Sequence, residues 1–179
     1  MIAKRIAELE TTMLRRISSL PDRFRPFVMH RDTLPRTFML TGPRGAGKTT
    51  YLLHHANKLA DTQQQSILYL SADNPTLGTE SLYEIVASIF LAGYSGVIVD
   101  EVHFAKDWSI HMKALYDDFP NHTLWICDSS SLCLRTGKGD LSRRFVHIEM
   151  PLLSFREFLY LETGVEYPVY DPFHPSGTL

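Results

Sequence analysis

The chain has 179 residues, 44% of them hydrophobic and 21% charged, and carries a net charge of −2. That is enough for one domain with its own core, in proportions ordinary for a soluble globular protein. Such a balance gives no compositional support to a nucleic-acid binder, and no apolar run approaches the roughly 20 residues of a membrane span.

The charge is unevenly placed. Residues 1–36 hold eight basic side chains (Lys4, Arg5, Arg15, Arg16, Arg23, Arg25, Arg31, Arg36) against four acidic ones (Glu8, Glu10, Asp22, Asp32). A solvated helix face and linker is the preferred explanation; a basic arm touching phosphate or an acidic partner is the sharper one. Ile2, Ile6, Leu9, Met13, Ile17 and Leu20 recur in steps of three and four, one apolar stripe on a helix. The stripe is short for a coiled-coil seam and is expected to pack on its own domain. Lys4 and Arg5 leading into a charged helix do not make a signal peptide. Pro21, Pro26 and Pro35 then mark an irregular connection.

Thr37-Phe38-Met39-Leu40-Thr41 is long enough for a buried strand. From Thr50 to Ala60, the apolar residues Leu52, Leu53, Ala56, Leu59 and Ala60 have helical spacing. Between the two stands Gly42-Pro43-Arg44-Gly45-Ala46-Gly47-Lys48-Thr49, which reads G-x-x-x-x-G-K-[ST], the phosphate-binding loop of nucleoside-triphosphatases. Glycines let backbone N–H groups turn inward around phosphate oxygens, and the following helix presents its positive end to them. Residues 42–50 are therefore the expected nucleotide-binding set. Lys48 is expected to reach the β- and γ-phosphates, and the Thr49 hydroxyl to ligate Mg²⁺, which keeps most of its waters.

Ser66–Ser71 reads as a second strand ending in the turn Ala72-Asp73-Asn74-Pro75. A helix over 80–92 follows, with Ser81 and Glu84 at capping-box spacing and Gly93 as its stop. Gly96–Glu101 is a third strand, apolar until its acidic end. A helix from about Asp107 to Pro120 turns Trp108, Met112 and Leu115 inward. Thr123–Cys127 is a fourth strand, followed by Asp128 and the serines Ser129, Ser130 and Ser131. A short helical piece at Leu141–Arg144 precedes a fifth strand, Phe145–Met150. Ser154 and Glu157 form another capping box, opening a helix to about Glu162. Periodicity stops at Glu166, and a proline-rich tail is expected to be irregular. Three segments result: 1–35, helix and linker; 36–165, the nucleotide-binding domain; 166–179, the tail.

Alternating strands and helices imply a parallel sheet covered on both faces, an α/β three-layer sandwich. Right-handed crossovers put every strand C-terminus on one edge, which brings together the phosphate loop, Asp73, Asp100-Glu101 and the serines. Asp100 is placed to hold Mg²⁺, and Glu101 to orient or deprotonate the water that attacks the γ-phosphate. ATPases with a catalytic glutamate after the metal aspartate insert a strand between the two motif strands. That pattern implies the order 5-1-4-3-2 here, with Ser129 or Ser130 as a polar sensor of the γ-phosphate. Arg143 and Arg144 precede the fifth strand, where an arginine of ring-forming ATPases reaches a neighbour's nucleotide; a surface ion pair, with Asp140 for example, is the alternative. His54, His55 and His103 make no metal-ligand set with Cys127 or Cys133, and two cysteines without C-x-x-C spacing suggest unpaired thiols in a reducing, cytoplasmic setting.

GPRGAGKTT, LYLSADNP, VDEVH with the following Trp108, and LSRRFVHIEMPLLSFREFL, in that order, resemble the AAA-like ATPases of prokaryotes. The resemblance runs from about Arg36 to Glu162, and the run near 151–158 is its most particular part. It implies ATP binding and hydrolysis. Family members are commonly about twice this length with a C-terminal domain of unknown function, so the chain is expected to be the ATPase half, a fragment or a truncated gene, with that domain, a protein partner or a homo-oligomer as its context. Asp128 departs from the glycine usual before the serines. The competing functions are a slow nucleotide-operated switch and a DNA-associated ATPase; Glu101 favours turnover, and no nucleic-acid motif supports the latter. A small-molecule kinase lacks an acceptor-binding signature.

Overall fold

The computed structural model describes residues 2–25, 34–77, 80–129 and 141–168. Pro26, Arg31, Asp32, Ser130, Ser131, Cys133, Asp140 and the tail beyond Pro168 lie outside the described residues.

Five strands form one parallel sheet: β1 (Thr37–Thr41), β2 (Ile67–Ser71), β3 (Gly96–Asp100), β4 (Thr123–Asp128) and β5 (Val146–Glu149). Their spatial order is β2-β3-β4-β1-β5, the inserted-strand arrangement expected from the acidic pair. Among the described residues five α-helices accompany them: α1 (Ile2–Ser18), α2 (Lys48–Gln63), α3 (Leu82–Leu91), α4 (Trp108–Asp118) and α5 (Phe155–Thr163).

Central strands buried on both faces read as continuous apolar runs, and side-chain parity decides which face each residue serves. Phe38, Leu40, Tyr69, Ile98, Trp125 and Cys127 pack with Leu52, Leu53 and Ala56 of α2. Residues of the opposite parity, such as Met39, Leu68, Val97, Val99 and Ile126, pack against α3 and α4 through Ile85, Val86, Met112 and Leu115. Both capping boxes form, on Ser81–Glu84 and on Ser154–Glu157.

The amphipathic helix α1 packs on this same body. It lies against β2 and α2, with Leu9 buried. Its cations find partners within the chain: Arg5 pairs with Glu80, and the Arg16 guanidinium sits 4.6 Å from the centre of the Tyr69 ring. Arg36, at the end of the linker, donates to the His122 carbonyl at 2.9 Å. The basic N-terminal region is largely committed to its own domain.

The fifth strand is shorter than its apolar pattern suggests. Phe145 turns into the core instead, and Met150 leaves the strand while its N–H still donates to the Thr41 carbonyl at 2.7 Å. That last bond lays residues 150–152 alongside the start of the phosphate loop.

Candidate nucleotide site

The loop between β1 and α2 has the backbone its glycines permit. Gly42 has φ 147°, and a Cβ there would lie 2.3 Å from the Met150 carbonyl oxygen. Gly47, at φ 93°, occupies the N-cap of α2 in the left-handed region. Lys48 is buried; its ammonium donates to the Gly42 and Pro43 carbonyls at 2.9 Å each, so its charge lies inside the loop. Arg44 and Gly45 are exposed at the loop tip.

Asp100 shares the parity of Ile98 and so points to the α2 face, where Thr49 begins the helix. Its carboxylate accepts four hydrogen bonds. Oδ2 takes the Thr49 hydroxyl at 2.7 Å and the Tyr69 hydroxyl at 2.8 Å; Oδ1 takes the Cys127 thiol at 2.7 Å and the Glu101 N–H at 2.9 Å. Register explains the company. Ser71 pairs with Asp100 and Val99 with Ile126, so Tyr69 and Cys127 flank the aspartate on the same face. Burial first, then the Asp100 charge, pushes the Tyr69 phenol and the Cys127 thiol far up, which keeps both protonated as donors.

Glu101 sits in the left-handed region at φ 48°, a conformation that costs a non-glycine residue roughly 1–2 kcal/mol. Its N–H bond to Asp100 holds it there. The turn aims the Glu101 carboxylate across to β4, where the Ser129 hydroxyl lies 2.9 and 2.7 Å from its two oxygens. On the other side of β4, buried Asp128 accepts from both the backbone N–H and the ring Nδ1 of His103, at 3.1 and 3.0 Å. Glu101, His103 and Asp128 bring their ligand atoms within 4.8 Å of one another. The aspartate in place of the usual glycine thus fastens the turn that carries Glu101.

Sequence patterning singled out Lys48, Thr49, Asp100, Glu101 and Ser129 as candidates, and the fold brings all five to one edge. Tyr69, Cys127 and the His103–Asp128 pair escaped it; the matched parities of β2, β3 and β4 were the available signal, usable only once the register of those strands is known. Arg144 stands elsewhere. It precedes β5, on the sheet edge opposite the loop, and its guanidinium holds Asp117 of α4 through two bonds of 3.2 Å.

Beside the loop lies a hollow of about 170 Å³, walled by Phe24, Gly45, Thr50, Tyr51 and Leu161 among others. A family profile described as an AAA domain matches residues 35–159, most of the chain. The chain belongs to the AAA domain family. An uncharacterized protein of Methanocaldococcus jannaschii, MJ1637, is 31% identical over 142 residues, covering 72% of this chain and 28% of that protein. NtrX from Brucella abortus, solved in complex with ADP, superimposes with a TM-score of 0.53 at 13% identity, over 93% of this chain and 49% of that one. AMPPCP-bound DnaA from Aquifex aeolicus gives 0.44 at 14%, over 76% and 46%. This AAA domain spans about a quarter of its curated relative's length, and it shares the parallel α/β fold of NtrX. No helix among the described residues is long and apolar enough to cross a membrane.

The residues of the AAA domain also fit a divalent cation. Thr49 and Asp100 offer hard oxygen donors side by side next to the loop, which suits Mg²⁺ better than a soft metal.

Proposed function

We propose that this domain binds ATP and hydrolyses it with Mg²⁺. The observation that carries the reading is convergence: Lys48, the Thr49–Asp100 pair and the Ser129-bound Glu101 meet at one sheet edge. Bound Mg²⁺ would neutralise phosphate charge. Lys48 would exchange two loop carbonyls for the β- and γ-phosphate oxygens. Asp100, by accepting the Thr49 hydroxyl hydrogen bond, fixes that hydroxyl's orientation, and the two side chains would together hold the cation. Glu101 accepts a proton from the attacking water as oxygen bonds to the γ-phosphorus and the bond to the β-phosphate bridge oxygen breaks. Ser129 steadies that carboxylate between its two oxygens. The hollow beside Gly45 and Thr50 takes the base and ribose.

Titration of wild type and Lys48→Ala with ATP·Mg²⁺ by calorimetry tests the binding half. Loss of one charge-assisted contact, on the order of 1.5–3 kcal/mol, weakens affinity by roughly ten- to a hundredfold. Phosphate release by Glu101→Gln tests the chemical half: affinity persists and turnover is lost. Equal ATP affinity in Lys48→Ala, or wild-type turnover in Glu101→Gln, removes the corresponding step.

A further inference from the structure

Arg25 lies outside the stretch that matches the family, in the linker after α1, yet it is among the few buried charges of the molecule. A guanidinium has five N–H donors, and all five of Arg25's are used. Nε donates to Glu157 Oε1 at 3.0 Å and Nη2 to Glu157 Oε2 at 2.9 Å, a bidentate pair. Nη2 also donates to the Leu152 carbonyl at 3.1 Å, and Nη1 to the Pro151 carbonyl at 2.8 Å. The fifth bond, from Nη1, goes to the Ala46 carbonyl at 3.0 Å, inside the phosphate loop.

That last contact has a steric consequence. The Ala46–Gly47 peptide is trans, so its carbonyl and the Gly47 N–H point in opposite directions. Tying the carbonyl to Arg25 on the outside of the loop turns the Gly47 N–H to the inside, where phosphate oxygens are cradled. At the loop's other end, Gly42 rests against the Met150 carbonyl with no room for a Cβ. The segment 150–157 therefore braces the loop at both ends, through backbone at Met150 and through Arg25 at Ala46. Glu157 does two jobs: it accepts Arg25, and it closes the capping box of α5 by accepting the Ser154 N–H at 3.0 Å. Arg23, two residues earlier, donates to the Leu161 and Glu162 carbonyls at the far end of α5, at 3.0 Å each.

We propose that Arg25 is a positioning residue for phosphate binding: it holds the Ala46–Gly47 peptide in its phosphate-ready orientation and couples occupancy of the loop to the seating of α5. The inference rests on the nucleotide reading above, since it assigns a role in that same site. Coupling of this kind is reciprocal: if the strapped helix favours the loaded loop, a loaded loop protects the helix.

Arg25→Ala alone would strand the Glu157 charge in a buried setting and destabilise the fold, so the informative variant removes both charges and keeps bulk: Arg25→Met with Glu157→Gln. Calorimetry is run with two probes, ATP·Mg²⁺ and tripolyphosphate·Mg²⁺, and hydrogen exchange follows the amides of residues 45–48 and 156–162. The expected result is a loss of about tenfold in affinity for both probes, faster exchange at 45–48 without ligand, and nucleotide-induced protection of α5 in wild type but not in the variant. Arg25→Lys, which keeps the charge and fewer donors, falls between the two. Unchanged affinity with unchanged loop exchange overturns the proposal. So does a loss confined to ATP, which would place the effect in the base hollow beside Phe24. Should the double variant not fold, Arg25→Lys, which leaves no charge unpaired, and the wild-type α5 protection decide by the same criteria. A wild type that binds neither probe overturns the nucleotide reading instead, and the loop exchange still tells whether Arg25 orders the loop.

Discussion

Asp100→Asn changes one atom of a side chain whose four acceptor sites are all filled, and it should unfold the domain more readily before any nucleotide is added. The carboxylate accepts from Thr49, Tyr69, Cys127 and the Glu101 N–H. An asparagine has one oxygen to accept with and turns an NH₂ group toward the other pair of donors. The Thr49 and Tyr69 hydroxyls must turn round to accept from that NH₂ group, and all four bonds lose their charged acceptor in a site where Asp100 is 5% exposed. Trading a charged acceptor for a neutral partner weakens a hydrogen bond by about 1 kcal/mol, so the four amount to roughly 4 kcal/mol, a large share of a total stability of about 5–15. Urea unfolding of the ligand-free protein at pH 7, followed by tryptophan fluorescence, measures it; the midpoint should fall with the slope unchanged. Glu101→Gln is the matched control, because Glu101 is half-buried and its side chain is met chiefly by the Ser129 hydroxyl. It should shift the midpoint by less than about 1 kcal/mol. A loss below about 1 kcal/mol in Asp100→Asn would show that the four donors do not converge on this carboxylate.

Gly42→Ala should lower both melting temperature and ATP affinity, the latter at least about tenfold, since its Cβ meets the Met150 carbonyl; wild-type behaviour in calorimetry and thermal melting would contradict the close approach. Burial, helped by Lys58 and His54, lowers the His55 imidazole from its ordinary 6.5 to about 4. The unfolded chain therefore binds a proton there first, and stability should decline as pH falls from about 6.5 to about 4, by up to about 3 kcal/mol; denaturant titrations of wild type and His55→Asn across that range should show a steeper slope in wild type. Arg144→Ala should cost under about 1 kcal/mol, because its partner Asp117 is half exposed, and should leave ATP affinity in the monomer unchanged. If Arg144 serves a neighbouring subunit, turnover per chain rises with protein concentration in wild type, the substitution abolishes that rise, and mixing in Glu101→Gln subunits restores it; absence of rescue in confirmed oligomers leaves Arg144 structural.

Local pattern determined much of this protein. The apolar five-residue runs, the helical spacings and the two capping boxes are set by neighbours close in sequence, so their elements were legible without coordinates. The phosphate loop was legible for the same reason: its glycines, Lys48 and Thr49 act through backbone geometry within eight residues. Even the placement of Asp100 and Glu101 followed, because strand C-termini of a parallel sheet must share an edge. Tertiary structure decided what surrounds them. Tyr69 and Cys127 read as core residues of apolar strands, and only the register of three strands points them at one carboxylate. Asp128 read as a departure from a family pattern and became the anchor of His103 once the turn after β3 folded over β4. Arg25 lay in a linker whose cations looked solvated. Its burial depends on Glu157, 132 residues away, and on carbonyls of two other segments, a partnership that no periodicity encodes. Side-chain spacing is a local quantity, whereas the satisfaction of a buried charge is a property of every segment that closes around it.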